Sequence, residues 1–166
     1  RSHSITADAD IPEGGAEGVL LSHGGNDGGY SFYVQNGKLC YVHNYVAAEY
    51  FKVESTEPVT PGRHKLRYEF EVTGKPDIIN GKGSPGSGQL YIDGKLVGQV
   101  DMPVTTPIFL GLTSAVTCGA DPGAPVTPDY EPPFKFTGKI YDVVIDVSGD
   151  LIKDTEAEMR AIMARQ

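Results

Sequence analysis

Asn36-Gly37 sits between two alternating runs, Tyr30–Gln35 and Lys38–Tyr45. Asn-Gly takes the two positive-φ positions of a type I′ turn at little steric cost, and the twist of that turn matches its flanking strands. A two-residue loop leaves one register: Gln35 opposite Lys38, Val34 opposite Leu39, Phe32 opposite Tyr41 and Tyr30 opposite His43. Tyr30, Phe32, Val34, Leu39, Tyr41, His43 and Tyr45 then share one face. Ser31, Tyr33, Gln35, Lys38, Cys40, Val42 and Asn44 share the other. The first face is aromatic and apolar and the second is mixed, which is the pattern of a sheet with one side on a core.

The rest of the chain repeats this grammar. Ser2–Ile11 alternates, with His3, Ile5, Ala7, Ala9 and Ile11 on the inner side. Gly18–His23 is a short apolar strand, followed by a glycine-rich loop from Gly24 to Gly29. That loop leads into a strand and lacks a lysine, so it is not a phosphate cradle, which needs a helix N-terminus behind it. Glu49–Ser55 is another strand. Arg63–Thr73 alternates most cleanly, with His64, Leu66, Tyr68, Phe70 and Val72 inward and Arg63, Lys65, Arg67, Glu69 and Glu71 outward. Gly74–Gly88 is a loop, and Asp93-Gly94 turns a second hairpin between Leu90 and Val97. Pro107–Leu112 reads as a strand. Thr113–Phe134, with five prolines, reads as a long functional or interface loop. Phe136–Val147 is nearly continuous in Val and Ile and is expected to be a central strand.

The tail changes period. Thr155 and Glu158 form a capping box, and Met159, Ile162, Met163 and Gln166 share a face of a short helix. Nine or ten short strands, hairpin turns and one terminal helix predict an all-β antiparallel sandwich closed as a jelly roll. Residues 1–150 form the sandwich, and 151–166 form a linker and helix of the same domain. The 166 residues suffice for one sizeable core.

Composition narrows the partners. A formal net charge of −8 argues against a nucleic-acid or anionic membrane surface. No run of about 18 apolar residues occurs to span a bilayer. The opening residues lack the apolar stretch of a signal peptide and begin in strand-like alternation, as expected of a piece of a longer chain. The compartment stays open. Two cysteines, Cys40 and Cys118, permit one disulfide, but separate thiols are the simpler expectation.

Arg1-Ser-His-Ser-Ile-Thr-Ala, Ile11-Pro-Glu-Gly-Gly-Ala-Glu-Gly-Val-Leu-Leu, Gly28-Gly-Tyr-Ser-Phe-Tyr-Val and Asn36-Gly-Lys-Leu together resemble the C-terminal region of large bacterial arylsulfatases. So do Tyr91-Ile-Asp-Gly-Lys, Asp121-Pro-Gly-Ala-Pro-Val-Thr-Pro-Asp-Tyr, Pro133-Phe-Lys-Phe-Thr-Gly-Lys-Ile and the closing Ala161-Ile-Met-Ala-Arg-Gln. The resemblance implies a concanavalin- or laminin-G-like sandwich appended to a sulfatase catalytic domain, its expected partner. The catalysis of that family, which uses formylglycine and calcium, is not carried by this stretch. Val59-Thr60-Pro61-Gly62-Arg63 keeps the proline and arginine of the formylglycine motif, but Val59 stands where the oxidisable residue belongs. Cys40 and Cys118 lack the proline and arginine at the required offsets. The expected role is therefore a non-catalytic accessory domain with no cofactor and no catalytic residue of its own. It packs on and stabilises a catalytic domain that hydrolyses sulfate esters.

Two alternatives come from other classes. A lectin-like module would bind glycan, with Tyr33 and Tyr91 the rings freest of the core. A jelly-roll glycosidase would use Glu69 and Glu71, two carboxylates on one strand face, although Arg67 beside them favours a solvated charged face. Asn26, Asp27, Asp121 and Asp129 are loop oxygens able to hold calcium, with Asp121 equally able to lock its loop through backbone hydrogen bonds. His3, His23, His43 and His64 share no metal-ligand spacing. His43 and His64 are expected as hydrogen-bonded core residues.

Overall fold

A computed structural model describes residues 1–107 and 115–149. Ten strands appear among them. In chain order they are β1 His3–Ile11, β2 Gly18–Gly25, β3 Gly28–Gln35, β4 Lys38–Tyr45 and β5 Glu49–Pro58. They continue with β6 Gly62–Val72, β7 Gly86–Ile92, β8 Lys95–Met102, β9 Val116–Cys118 and β10 Lys139–Asp146. Sheet A runs β10-β1-β6-β7-β8 and sheet B runs β5-β4-β3-β2-β9, all pairs antiparallel. The two sheets pack face to face as an all-β jelly-roll sandwich. The expected helix at Thr155–Gln166 and most of the expected strand Pro107–Leu112 lie outside the described residues.

The β3–β4 hairpin has the register that Asn36-Gly37 dictates, with Val34 opposite Leu39, Phe32 opposite Tyr41 and Tyr30 opposite His43. Asn36 and Gly37 have φ of 52° and 71°, and Asp93 and Gly94 repeat the geometry between β7 and β8 at 50° and 81°. The core lies between the sheets. Ile5, Ala7, Ala9, Leu66, Tyr68 and Leu90 meet Leu20, Phe32, Val34, Leu39, Tyr41 and Val53. At one edge the sheets close on each other through β5 and β8. Thr56 Oγ1 donates to Val97 O at 3.1 Å, and a Cβ on Gly98 would lie 2.8 Å from Glu54 O.

Three expectations are corrected. Gly24–Gly29 is not a loop: β2 and β3 run through it and turn at Asn26-Asp27 alone. The two backbones cross so closely that a Cβ on Gly29, at φ 137°, would sit 2.0 Å from His23 O. Secondly, the strand expected over Phe136–Val147 as a central one forms only the edge strand β10, paired with β1 alone. Ile140 and Val143 pack on the core, but Tyr141 and Val144 face outward and are exposed. An apolar run reports hydrophobicity on both faces of a strand, and here only one face meets the core.

The third correction concerns sheet B, whose strands β2–β4 are buried on both sides while the outer side chains of edge strand β5 stay exposed. The mixed face of the central hairpin carries a second apolar cluster of Val19, Tyr33, Cys40, Val42 and Tyr130, with Phe134 against it. Tyr33 is therefore fully buried rather than free for a ligand.

Candidate functional site

What covers sheet B is the proline-rich segment after β9, residues 119–137, lying as a strap. Backbone bonds tie its base: Gly119 N to Leu20 O, Val19 N to Phe134 O, Phe136 N to Gly119 O and Thr137 N to Glu17 O. Prolines lose little entropy on ordering, which suits a long segment without strands of its own. Tyr130 stacks on Phe134 at 4.7 Å and meets Tyr33 edge-on at 5.2 Å.

Asp121 is buried and locks the strap. It accepts from Val126 N at 3.2 Å, and Tyr130 Oη lies 2.8 Å from both Asp121 and Ser31 Oγ. A carboxylate only accepts, so the tyrosine donates to Asp121 and Ser31 supplies its own hydrogen. Asp129 accepts from Tyr33 Oη at 2.8 Å and pairs with Lys52 at 3.0 Å. Burial pushes the Asp129 carboxyl up, but the bonds from Lys52 and Tyr33 more than offset that and hold it below the usual carboxylate range. Both aspartates are thus engaged by the protein. Asn26 gives its carbonyl to Asn44 Nδ2 at 3.0 Å. Among the described residues no three acidic, histidine or cysteine side chains gather to hold a metal ion.

With the centre of sheet B covered, the outer face of sheet A is an open sheet face among the described residues. Register sets its chemistry. One row across the sheet is Asp146, Ser4, Glu69, Gln89 and Gln99; the next is Val144, Thr6, Arg67, Tyr91 and Leu96. A groove of about 360 Å³ runs along the first row, lined by Ser4, Arg67, Glu69, Gln89, Asp146 and Ser148. Arg67 pairs with Glu69, and Tyr91 Oη donates to Gln89 Oε1 at 2.9 Å. Bonds from Ser148 hold the Asp146 carboxyl below its usual range, while burial and then Glu69 push the Tyr91 phenol up. Beyond the groove Arg63 grips Asp8 with two bonds of 2.7 and 2.9 Å and lies 4.1 Å above the Tyr141 ring. Hydroxyls, amides, one guanidinium, carboxylates and an aromatic ring on a rigid sheet suit a polyhydroxylated ligand.

The candidate residues from the sequence divide between these places. Tyr91, Glu69 and Glu71 stand on the open face, and Arg67 takes Glu69 into an ion pair. His43 and His64 are hydrogen-bonded as expected: His43 Nε2 to Thr106 N at 2.9 Å, and His64 Nδ1 to Asp93 at 2.7 Å. Cys40 and Cys118 are separate thiols, and burial raises Cys40 to about 12. Val59 N donates to Gly37 O at 2.8 Å in the turn before β6. Ser4, Gln89 and Asp146 drew no attention in the sequence. Ser4 alternates outward in its strand, but only strand order aligns the three in one row.

Neither a protein-family model nor a curated protein matches this chain. Solved structures share its fold. The carbohydrate-binding module CBM40 of the Ruminococcus gnavus IT-sialidase superposes with a TM-score of 0.58 at 17% identity, over 96% of this chain and 82% of that one. The same module bound to α2,3-sialyllactose gives 0.56 at 16% identity, over 96% and 81%. The native heptameric SAP-like pentraxin of Limulus polyphemus gives 0.53 at 13% identity, over 87% and 63%. At these identities the likeness is one of fold, a jelly-roll sandwich shared with carbohydrate-binding modules and a pentraxin.

Proposed function

We propose that this chain is a lectin-like carbohydrate-binding module whose ligand lies across the outer face of sheet A. The single observation that carries this reading is the division of the two sheets: the strap covers the centre of sheet B, while sheet A presents an aligned polar groove. Gln89, Glu69 and Ser4 offer donors and acceptors to sugar hydroxyls, and Tyr91 offers a ring edge. Arg67 is the group for an acidic sugar, because a guanidinium meets a carboxylate with two parallel bonds. Support comes from the R. gnavus module of the same fold, solved with α2,3- and α2,6-sialyllactose. Sialylated glycans are therefore the first class to test, with neutral glycans beside them. Calorimetric titration should show binding that falls at least about tenfold in Arg67→Ala at unchanged melting temperature. Failure of every glycan to bind, or equal binding by Arg67→Ala, would reject the reading.

A second reading, an accessory domain on a sulfatase catalytic domain, is favoured by β10. Its Tyr141 and Val144 are 45% and 55% exposed, an apolar pair suited to a neighbouring domain. A rise in melting temperature on adding the catalytic domain in trans supports this role by mass action, and an unchanged value removes it.

A further inference from the structure

A second cleft of about 360 Å³ opens between the two sheets, on the inner side of β1 from the polar groove. Its walls are rings. Tyr41 of sheet B stacks on Tyr68 of sheet A with centroids 3.4 Å apart and planes 8° apart. Tyr30 stacks beside Tyr41 at 6.1 Å, and His3 tilts against Phe70 at 5.4 Å. The volume is in the range of small-molecule sites, about 300–1,000 Å³.

Two imidazoles give the cleft its polarity. His43 Nε2 accepts the Thr106 backbone N–H at 2.9 Å. A ring nitrogen that accepts carries no proton, so the neutral ring holds its hydrogen on Nδ1. Burial, and then the nearby His3, hold His43 down to about 4, so it is neutral at pH 7. The bond to Thr106 is the one the ring makes among the described residues, and the Tyr68 hydroxyl in the same cleft is buried without a partner there. His3 is the reverse case. Its Nδ1 lies 3.2 Å from the Arg1 carbonyl, which only a protonated nitrogen can bond, so Nε2 keeps its lone pair. Burial also lowers His3 and His23. The Arg1 guanidinium at the mouth is taken by the Val147 carbonyl. The cleft therefore offers neutral imidazole groups and the unpartnered Tyr68 hydroxyl between aromatic walls, the charged Arg1 side chain stands only at its exposed mouth, and desolvating an ion in the interior is costly.

We propose that this cleft binds a small uncharged ring compound bearing a hydroxyl. The ring lies against Tyr30, Tyr41 and Phe70. The hydroxyl oxygen accepts from His43 Nδ1–H, and the hydroxyl hydrogen is donated to His3 Nε2. The cleft shares His3 and Phe70 with one end of the polar groove, but its proposed ligand does not depend on glycan binding there.

The probe is phenol, titrated into the whole chain and followed by amide and methyl NMR shifts, with benzene as the comparator lacking the hydroxyl. The expected result is saturable shifts centred on Gly29, Thr106 and Met102, with phenol bound about fivefold more tightly than benzene. His43→Phe should abolish that preference. Because this change also unpairs the Thr106 N–H, His3→Phe serves as an independent variant, and it should lower the phenol preference while benzene still binds. Shifts that do not saturate or that scatter over the surface would overturn the proposal. So would equal affinity for the two probes, or an unchanged preference in both variants.

Discussion

Tyr33 and Asp129 stand 96 residues apart in the chain and 2.8 Å apart in space, phenol hydroxyl to carboxylate. The bond joins the middle of sheet B to the strap that covers it, and Lys52 on β5 completes the lock at 3.0 Å. It turns what would be a solvated sheet face into a second core.

Removing that hydroxyl tests the lock. Tyr33→Phe deletes a hydrogen bond to a charged acceptor and should cost about 1–2 kcal/mol. Asp129→Ala should cost more, about 3 kcal/mol, because it leaves the buried Tyr33 hydroxyl unpaired and frees Lys52. Urea unfolding at constant m-value reads both. A Tyr33→Phe protein as stable as wild type would show that this hydrogen bond adds nothing to the hold on the strap.

Gly29 faces a different constraint. Its φ of 137° and the 2.0 Å approach of His23 O to a Cβ make any side chain a clash with backbone, which cannot swing away. Gly29→Ala should destabilise by about 2 kcal/mol or more, and Gly37→Ala, at φ 71° with open space around it, by less. If the two variants melted together, the closeness of β2 and β3 would not be what requires glycine there.

The buried imidazole of His43 makes stability pH-dependent. Its folded pKa of about 4 lies below the unfolded value of about 6.5, so between them the unfolded chain binds more protons. Stability is full above about pH 6.5 and is lost as pH falls toward 4. From pH 6.5 to pH 5 the loss is about 2 kcal/mol. His3 and His23, also lowered, act in the same direction. Denaturation at pH 7 and pH 5 should show the drop in wild type and a smaller one in His43→Phe. An equal drop in the variant would assign the effect to other groups.

Much of this molecule is readable before folding. The two I′ turns, the β3–β4 register and the inward set of β6 follow from Asn36-Gly37, Asp93-Gly94 and period-two alternation. Those are local matters: φ preferences and side-chain direction act within a few residues. The reading of Val59 as a turn residue before β6 is equally local.

Tertiary structure alone decided the rest. Tyr33 alternated outward and is buried, because a segment almost a hundred residues later lies over it. Asp121 and Asp129 had the look of cation ligands and became locks once Tyr130, Val126, Tyr33 and Lys52 reached them. The run at β10 promised a central strand and lies at an edge, because order in a sheet depends on which partners are left unpaired. Ser4, Glu69, Gln89 and Asp146 line one groove only through the pairing of β10, β1, β6 and β7. Period-two alternation names the face of a strand, but what covers that face is settled by chain-distant packing, and for this protein that packing separates the covered centre of sheet B from the open face of sheet A.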